Sequence, residues 1–172
     1  MEVSKVIKER REITSFKDTP IAKELLEEVL EAGYYAPTGN NLPSREFILV
    51  TDRDVLNQLE HTTPFMKWLK EAPAAIVITG RPTISKYWIQ DASISSGFIW
   101  LKATDVGLGI GFGAVYHHED QEESIRRETW VKKTLHLHED RRVIAILGIG
   151  YPKEHPKPKI LPKREDIIFY RD

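Results

Sequence analysis

The chain has 172 residues, with 25 Lys and Arg against 26 Asp and Glu, ten Gly, four Trp and no Cys. This length suits one domain over residues 1–172, which buries about 70% of its unfolded surface without a disulfide or a metal. The balanced charge gives no general attraction to nucleic acid or to an anionic membrane. The absence of Cys excludes a thiol nucleophile, an iron–sulfur cluster and Cys-ligated zinc.

The apolar pattern predicts neither a membrane span nor a signal peptide. The longest apolar runs, near residues 74–78 and 143–149, are far shorter than the roughly 18 residues of a membrane helix and suit buried strands. The first residues alternate in charge and lack an apolar stretch. We therefore expect a cytoplasmic protein.

Helices alternate with short extended segments along the first half of the chain. Apolar residues at helical spacing predict helices over residues 2–11 and 20–33. Residues 36–44 are dense in turn formers and predict a loop rich in backbone donors and short polar side chains. A strand over residues 45–51 follows, and Asp52 is placed to cap the next short helix.

The second half of the chain predicts one long helix between strands. After a helical stretch at 65–70 and a buried strand at 74–79, the longest helix is expected over residues 85–106, ended by Gly107. One stripe marks its buried face: Trp88, Ala92, Ser95, Ile99 and Ala103. Helical segments at 119–130 and 131–137, a strand at 142–150 and a Pro- and Lys-rich tail at 152–162 complete one α+β domain.

Six of the ten glycines fall in two clusters, one at Gly107, Gly109, Gly111 and Gly113, the other at Gly148 and Gly150. Strand side chains alternate between faces, so one face of an extended segment 108–114 would be bare backbone. Glycine inside a strand costs stability and typically marks close approach by a ligand or another backbone. The pattern leaves two explanations open: a ligand against the glycine face, or a helix packed tightly across it.

Two clusters contain possible metal ligands, one at His117, His118 and Glu119, the other at His136, His138 and Glu139. Both lie in highly charged, loop-like contexts with no further ligand at convincing spacing, so we expect solvated surface and no metal. The basic pairs at 126–127 and 132–133 are interleaved with glutamates. This alternation predicts a salt-bridged helix face rather than an anionic partner.

Four motifs, in this order, resemble the FMN-dependent nitroreductase family in its short form. They are Arg10-Arg11 with Phe16, the Ala-Pro-Thr-Gly-Asn-Asn of residues 36–41, the Gln-Asp-Ala-Ser of 90–93 and the Leu-Gly-Ile-Gly-Tyr-Pro of 147–152. Each motif alone is weak, and their spacing around the long helix and the glycine strand carries the resemblance. It implies a three-layer α+β fold with a central mixed or antiparallel sheet flanked by helices. It also implies a homodimer with one FMN in each of two interface clefts.

The resemblance places the flavin phosphate on basic residues from both ends of the chain. Arg10 and Arg11 would hold it, because a planar, permanently charged guanidinium suits phosphate oxygens. Lys157 and Lys159 in the tail resemble the family's additional phosphate contacts. From the residues alone, the arginines equally suit compensation of a helix C-terminus with a surface ion pair, and the lysines a solvated tail.

The resemblance assigns the rest of the flavin to a loop and a strand. Pro37, Thr38 and Asn41 would reach the flavin of the neighbouring subunit, although the same loop suits ordinary helix capping. The backbone N–H groups from about Gly111 to Ala114, including Gly113, would face flavin N5 and O4.

Two positions depart from the family pattern near flavin N1. Glu12 stands where the family often has Ser, and Thr14 where it has a Lys or Arg that faces the pyrimidine edge. We keep Thr14 as an expected cofactor contact. Arg45, close after the loop, is the candidate to supply the missing positive charge.

The resemblance implies that flavin N5 carries the chemistry and that no side chain is catalytic. Hydride would pass from NAD(P)H to the flavin and then to a nitroaromatic, quinone or similar conjugated acceptor in a ping-pong scheme, while the protein supplies position and electrostatics. Four aromatic residues are candidates for cleft walls or for core: Phe65, Trp68, Tyr87 and Trp88. The alternative function is a flavin-binding or partner-binding protein of the same fold without turnover.

Overall fold

A computed structural model describes residues 2–171, in which four strands form one antiparallel sheet. In chain order they are β1 (Arg45–Val50), β2 (Ala74–Gly80), β3 (Gly109–Ala114) and β4 (Arg142–Gly150), and the sheet order is β1-β2-β4-β3. Of the two sheet types expected, the antiparallel one is therefore correct. β3 is an edge strand, and its outer side carries a short parallel bridge between Glu12 and Ile110.

Five α-helices flank the sheet: α1 (Val3–Glu9), α2 (Lys23–Tyr35), α3 (Arg53–Leu59), α4 (Trp88–Asp105) and α5 (Gln121–Leu135). The Asp52 side chain accepts a hydrogen bond from the Val55 N–H, which confirms the predicted cap of α3. The two helical segments predicted over residues 119–137 form one continuous helix. Among residues 2–171, no helix combines the length and the apolar character needed to cross a bilayer.

The long helix α4 starts later than predicted and ends where predicted. The Ser85 hydroxyl accepts a hydrogen bond from the Tyr87 N–H, so residues 85–87 form a turn before the helix. At the other end Gly107 has a φ of +82°, which glycine adopts without a steric penalty. The Gly107 and Leu108 N–H groups bond the Thr104 and Ala103 carbonyls, a Schellman closure that leads straight into β3.

Two apolar cores lie on opposite faces of the sheet. The first contains α2 and α4, and all five residues of the predicted α4 stripe are buried. The second contains α3, α5, the chain around Ile13 and Phe16, and a 3₁₀ segment, Pro64–Glu71. Neighbouring residues of β2 alternate between the two cores, so both of its faces are covered and the whole strand is buried.

The glycine face of β3 and β4 is covered by protein. A Cβ placed on Gly109 would meet Ile13, and one on Gly113 would meet Met66, each within 2.5 Å. At Gly148 it would meet Trp68 at 2.5 Å, and at Gly150 Pro73 at 2.7 Å. The glycines therefore admit the 3₁₀ segment and the N-terminal chain to the sheet. Of the two explanations left open, tight packing of another element is correct, and a ligand on this face is wrong.

Candidate functional site

Arg10 follows α1 directly and presents a cation with no anionic partner. In the part of the chain that the structure describes, no carboxylate lies within salt-bridge distance of Arg10. Its guanidinium carbon lies 4.5 Å from the centroid of the Trp100 ring, on α4. Because no protein group within residues 2–171 accepts a hydrogen bond from its N–H groups, the guanidinium can meet an anion without first breaking an ion pair.

Arg11 is held by backbone carbonyls. Its Nη1 donates to the carbonyls of Lys8, at 2.7 Å, and Arg10, at 2.8 Å, and its Nε donates to the Lys157 carbonyl at 3.2 Å. The first bond satisfies a free carbonyl at the end of α1, which is the helix-terminal role that the residues alone suggested. Arg11 also ties the C-terminal tail to the N-terminal chain.

Two adjoining cavities open beside the arginines. One, of about 370 Å³, lies between Arg11, the α4–β3 turn and the prolines of the tail. The other, of about 760 Å³, is lined by Arg10, Arg11, Trp100 and Lys159 among others. The structure therefore brings Arg10, Arg11 and Lys159 together. Lys157 contributes its carbonyl to this contact, and its side chain is exposed.

The backbone amides of β3 alternate between β4 and the open edge. The Ile110 carbonyl accepts from the Ile13 N–H, and the Phe112 N–H donates to the Glu12 carboxylate at 3.3 Å, so even-numbered residues point outward. The Gly111 and Gly113 amides therefore point into the ladder with β4. For these two residues the predicted flavin contact is wrong, because their N–H groups are used by the sheet. Ala114 is even-numbered, so its N–H group points toward the open edge, and the residue is exposed.

Two side chains to which the sequence assigned no role at this edge, Glu12 and Arg127, fix it. Glu12 takes the outward amide of Phe112. Arg127, buried in the middle of α5, donates from Nη1 to the Ala114 carbonyl at 3.2 Å and from Nε to Glu123 at 2.7 Å. Hydrogen bonds from Arg126 and Arg127 lower the pKa of Glu123 to about 2. The predicted salt-bridged face of α5 is confirmed, and it also anchors the end of β3.

The loop after α2 is held by a buried carboxylate at the start of α4. Asp91 accepts hydrogen bonds from the Gly39 N–H at 2.8 Å and from the buried Ser44 hydroxyl at 2.5 Å. Asn40 and Asn41 both have φ values near +57°, the left-handed region that Asn tolerates well. The Gln-Asp-Ala-Ser motif of α4 therefore has a clear task, which is to fix the loop.

The predicted contacts of this loop face away from its anchor. Pro37 and Asn41 are exposed and Thr38 is half-buried. Within residues 2–171 the side chains of Thr38 and Asn41 make no hydrogen bond that would occupy them. A hydroxyl and an amide are thus available to another molecule.

Arg45 does not provide a free charge near the loop. Its Nε donates to the Ser95 hydroxyl at 2.6 Å, and its Nη2 donates to the carbonyls of Gly33, Tyr34 and Ala36 at 3.2, 2.9 and 2.6 Å. Burial lowers the pKa of this guanidinium, and the Asp91 carboxylate partly offsets the shift. Arg45 is thus occupied in closing the end of α2, and its role toward flavin N1 stays a prediction.

The remaining candidates are spread over the molecule. Thr14 is exposed on the chain between α1 and α2. Of the four aromatic residues, Trp88 is buried, Trp68 is partly buried against the glycine face, and Phe65 and Tyr87 are exposed. No group of three or more His, Asp or Glu side chains is placed to hold a metal within the described residues. His138 instead pairs with Asp140 at 2.6 Å.

The two groups of candidate residues lie at different ends of α4. The loop is anchored at Asp91, in the first turn, and the arginine pair at Trp100, whose Nε1 donates to the Arg11 carbonyl at 3.1 Å. Nine residues of helix separate the two anchors, about 13 Å along the axis. The chain therefore carries two separate groups of candidate residues, which we call the loop end (residues 36–44 with Asp91) and the arginine end (Arg10, Arg11 and Lys159 with Trp100).

Comparisons with known proteins cover both ends. The sequence profile of the Nitroreductase family matches residues 7–63, which include the arginines and the loop. A relative from Methanothermobacter thermautotrophicus, provisionally named NADH dehydrogenase/NAD(P)H nitroreductase, is 32% identical over 159 residues, 91% of this chain and 80% of that protein. A relative from Archaeoglobus fulgidus with the same provisional name is 33% identical over 157 residues, 89% of this chain and 87% of that protein.

Solved structures agree with these relatives. The structure of a protein from Parabacteroides distasonis, again provisionally named NADH dehydrogenase/NAD(P)H nitroreductase, superposes with a TM-score of 0.89 at 30% identity and covers 98% of both chains. An FMN-dependent nitroreductase from Clostridium difficile superposes with a TM-score of 0.86 at 30% identity, covering 97% of this chain and 98% of that one. With its sequence and its fold matched over nearly the whole length, the chain belongs to the nitroreductase family.

Proposed function

We propose that the protein is an FMN-dependent oxidoreductase that takes hydride from NADH or NADPH and delivers it to a nitroaromatic, quinone or similar conjugated acceptor. The names of its relatives support the reaction class. The observation that carries the proposal is the arginine end, where Arg10 lines a cavity of about 760 Å³ and has no carboxylate partner among residues 2–171. We further propose that residues 1–172 act as one domain, since both cores share one sheet.

The residues present fit an FMN molecule. Its phosphate is an anion, and the arginine end offers Arg10, the remaining N–H groups of Arg11 and the exposed Lys159 around one cavity. Its ring needs hydrogen-bond donors at an accessible strand edge. The exposed Ala114 has its backbone N–H on the outer side of β3. When bound, FMN supplies the acceptor and donor of hydride, which this Cys-free chain does not contain.

Each group of side chains then has a limited task. The arginine end binds and orients the phosphate, and Thr14, nearby in sequence, lies on the same exposed stretch of chain. The Ala114 N–H is the strand donor left for the flavin ring, held in place by Arg127. Thr38 and Asn41 supply a hydroxyl and an amide from the loop end of a second chain. No protein group is required to exchange a proton or form a covalent bond.

A second copy of the chain is the expected partner. Several apolar residues on the outer faces of α1 and α4 are exposed, with solvent-exposed fractions of 70% for Val3, 56% for Ile7, 43% for Ile94 and 42% for Phe98. Exposed apolar residues grouped in this way are typical of an interface. We propose that two chains pack through these faces and bring the loop end of one to the arginine end of the other.

The proposed function is tested by mixing the purified protein with FMN and adding NADH or NADPH under nitrogen. Loss of the flavin absorbance, and its return on addition of a quinone or nitroaromatic compound, is the expected result. Colour that persists after both nucleotides would point to a flavin-binding protein without this turnover. A protein that fails to bind FMN would overturn the proposal. A ping-pong scheme additionally predicts parallel lines in double-reciprocal plots of the two substrates.

A further inference from the structure

Trp100 joins three parts of the arginine end. Its ring is stacked on Phe112 of β3, with centroids 5.8 Å apart and planes 9° from parallel. The Arg10 guanidinium carbon lies 4.5 Å from the same ring, and the indole Nε1 donates to the Arg11 carbonyl at 3.1 Å. One side chain therefore touches both arginines and the strand that supplies the proposed ring donor.

These contacts restrict the direction of both arginines. A guanidinium over an indole face is attracted by the negative charge of the ring, so Arg10 is guided without losing any N–H group to a protein acceptor. The bond from Nε1 fixes the backbone at Arg11, and the stack on Phe112 fixes the ring itself. Without Trp100, Arg10 would be a long exposed side chain with many rotamers to lose on binding an anion.

We propose that Trp100 is a positioning residue that holds Arg10 and Arg11 in the arrangement in which they meet the phosphate of FMN. This role rests on the proposed function, because it assigns the arginine end to that phosphate. Trp100 lines the cavity that both arginines also line. It is only half-buried, so part of its ring surface faces this cavity and not the apolar core. It acts through the arginines and does not itself need to touch the reacting atoms.

The role predicts a loss that depends on the phosphate. Riboflavin has the ring and the ribityl chain of FMN and lacks the phosphate, so the ratio of the two affinities reports on the arginine end alone. Trp100→Phe keeps a ring and removes the Nε1 donor, and Trp100→Leu removes both. We expect the preference for FMN over riboflavin to fall about 3- to 10-fold in the first variant and about 10- to 50-fold in the second.

The chain offers a matched control in Trp130. Its Nε1 also donates to a backbone carbonyl, that of Gln58, at 2.8 Å, and it lies on α5 away from the arginine end. Trp130→Phe removes the same type of bond, so any effect of losing an indole donor on general stability appears in both Phe variants. It should leave the FMN to riboflavin ratio unchanged.

The measurement is a titration of the full-length protein and each variant with FMN and with riboflavin, followed by flavin fluorescence, with thermal unfolding as a check of folding. A ratio that falls in both Trp100 variants and is retained in Trp130→Phe supports the proposal. Wild-type preference for FMN combined with an unchanged ratio in both Trp100 variants overturns the role of Trp100 alone. Failure of the wild-type protein to bind FMN overturns the proposed function, and the role of Trp100 with it.

Discussion

The loop end and the arginine end use their charged side chains in opposite ways. At the loop end, the side chains of Asp91 and of the neighbouring Arg45 are hydrogen-bonded to hydroxyl, amide and carbonyl groups of the same chain. At the arginine end, Arg10 and Lys159 face a cavity, and only Arg11 is tied down. Charge therefore shapes the backbone at the loop end and remains available at the arginine end.

Two charged residues that the family pattern brought into question, Arg45 and Glu12, follow the same contrast. Arg45, directly after the loop, closes the carbonyl end of α2. Glu12 places a carboxylate beside the arginine pair in sequence, but the Phe112 amide holds it against the sheet edge. Neither residue lines the cavities beside the arginines.

The largest expected effect is at the anchor of the loop end. Asp91→Ala leaves the buried Ser44 hydroxyl and the Gly39 amide without their acceptor, so we expect a loss of about 2–4 kcal/mol in the free energy of unfolding. Urea denaturation measures it. Ser44→Ala should lose about 1–2 kcal/mol, whereas the control Ser96→Ala, whose hydroxyl bonds only within α4, should lose less than about 0.5 kcal/mol. Equal losses in the two serine variants would contradict the anchor.

The next largest effect is expected where the N-terminal chain at Ile13 packs against Gly111 of β3. In Gly111→Ala the new methyl group would lie 2.7 Å from the backbone oxygen of Ile13, which cannot turn aside as a flexible side chain can. We expect a loss of about 1–3 kcal/mol in unfolding free energy together with weaker FMN binding, because the displaced chain carries the arginines. Gly97→Ala, with open space around it, should instead stabilise the isolated chain by up to about 1 kcal/mol.

The two arginines should separate binding from stability. Arg10→Ala removes a cation that has no carbonyl or carboxylate partner, so FMN affinity should fall about 10- to 100-fold with unfolding free energy changed by less than about 0.5 kcal/mol. Arg11→Ala also releases three backbone carbonyls, so both quantities should fall. Flavin titration and urea denaturation of both variants measure this. A larger stability loss in Arg10→Ala than in Arg11→Ala would reverse the assignment.

The smallest effect is a dependence of stability on pH through Glu123. Its pKa in the folded protein, about 2, is below the ordinary value of 4.5, because Arg126 and Arg127 donate hydrogen bonds to the ionised form. The stabilisation is therefore complete above about pH 4.5 and is lost as the pH falls toward 2. Urea midpoints at pH 3 and pH 6 should differ less in Glu123→Gln than in the wild-type protein. An identical difference in both would exclude this contribution.

The sequence predicted the parts of the fold that local patterns determine. The strand over residues 142–150, the end of α4 at Gly107 and the Asp52 cap each depend on a few neighbouring residues, and all are confirmed. The covering of the glycine face depends on two segments that lie about 40 or more residues earlier in the chain. A ligand and a tightly packed segment require the same absent side chain, so spacing alone cannot distinguish them.

The site was predictable to a similar degree. The arginines and the loop were found through their motifs, and their separation along α4 became visible only in the fold. The occupied amides of Gly111 and Gly113 follow from which edge of β3 pairs with β4, and the partners of Arg45 from the packing of α2 against α4. Strand pairing and helix packing depend on residues far apart in the chain, and the type of a single residue does not determine them. Trp100 carried no sequence signal of its own, and the contacts of Glu12 and Arg127 with β3 likewise became visible only in the fold.

The central claim is that each flavin site takes its arginine end from one chain and its loop end from another. It is tested most directly by a purified heterodimer in which one chain carries Arg10→Ala and the other Thr38→Ala with Asn41→Ala, each with its own affinity tag. The wild-type dimer should bind two FMN molecules tightly, and each variant homodimer none. The account predicts one tightly bound FMN per heterodimer, because one site then receives both intact ends. A heterodimer that binds no FMN tightly would contradict it.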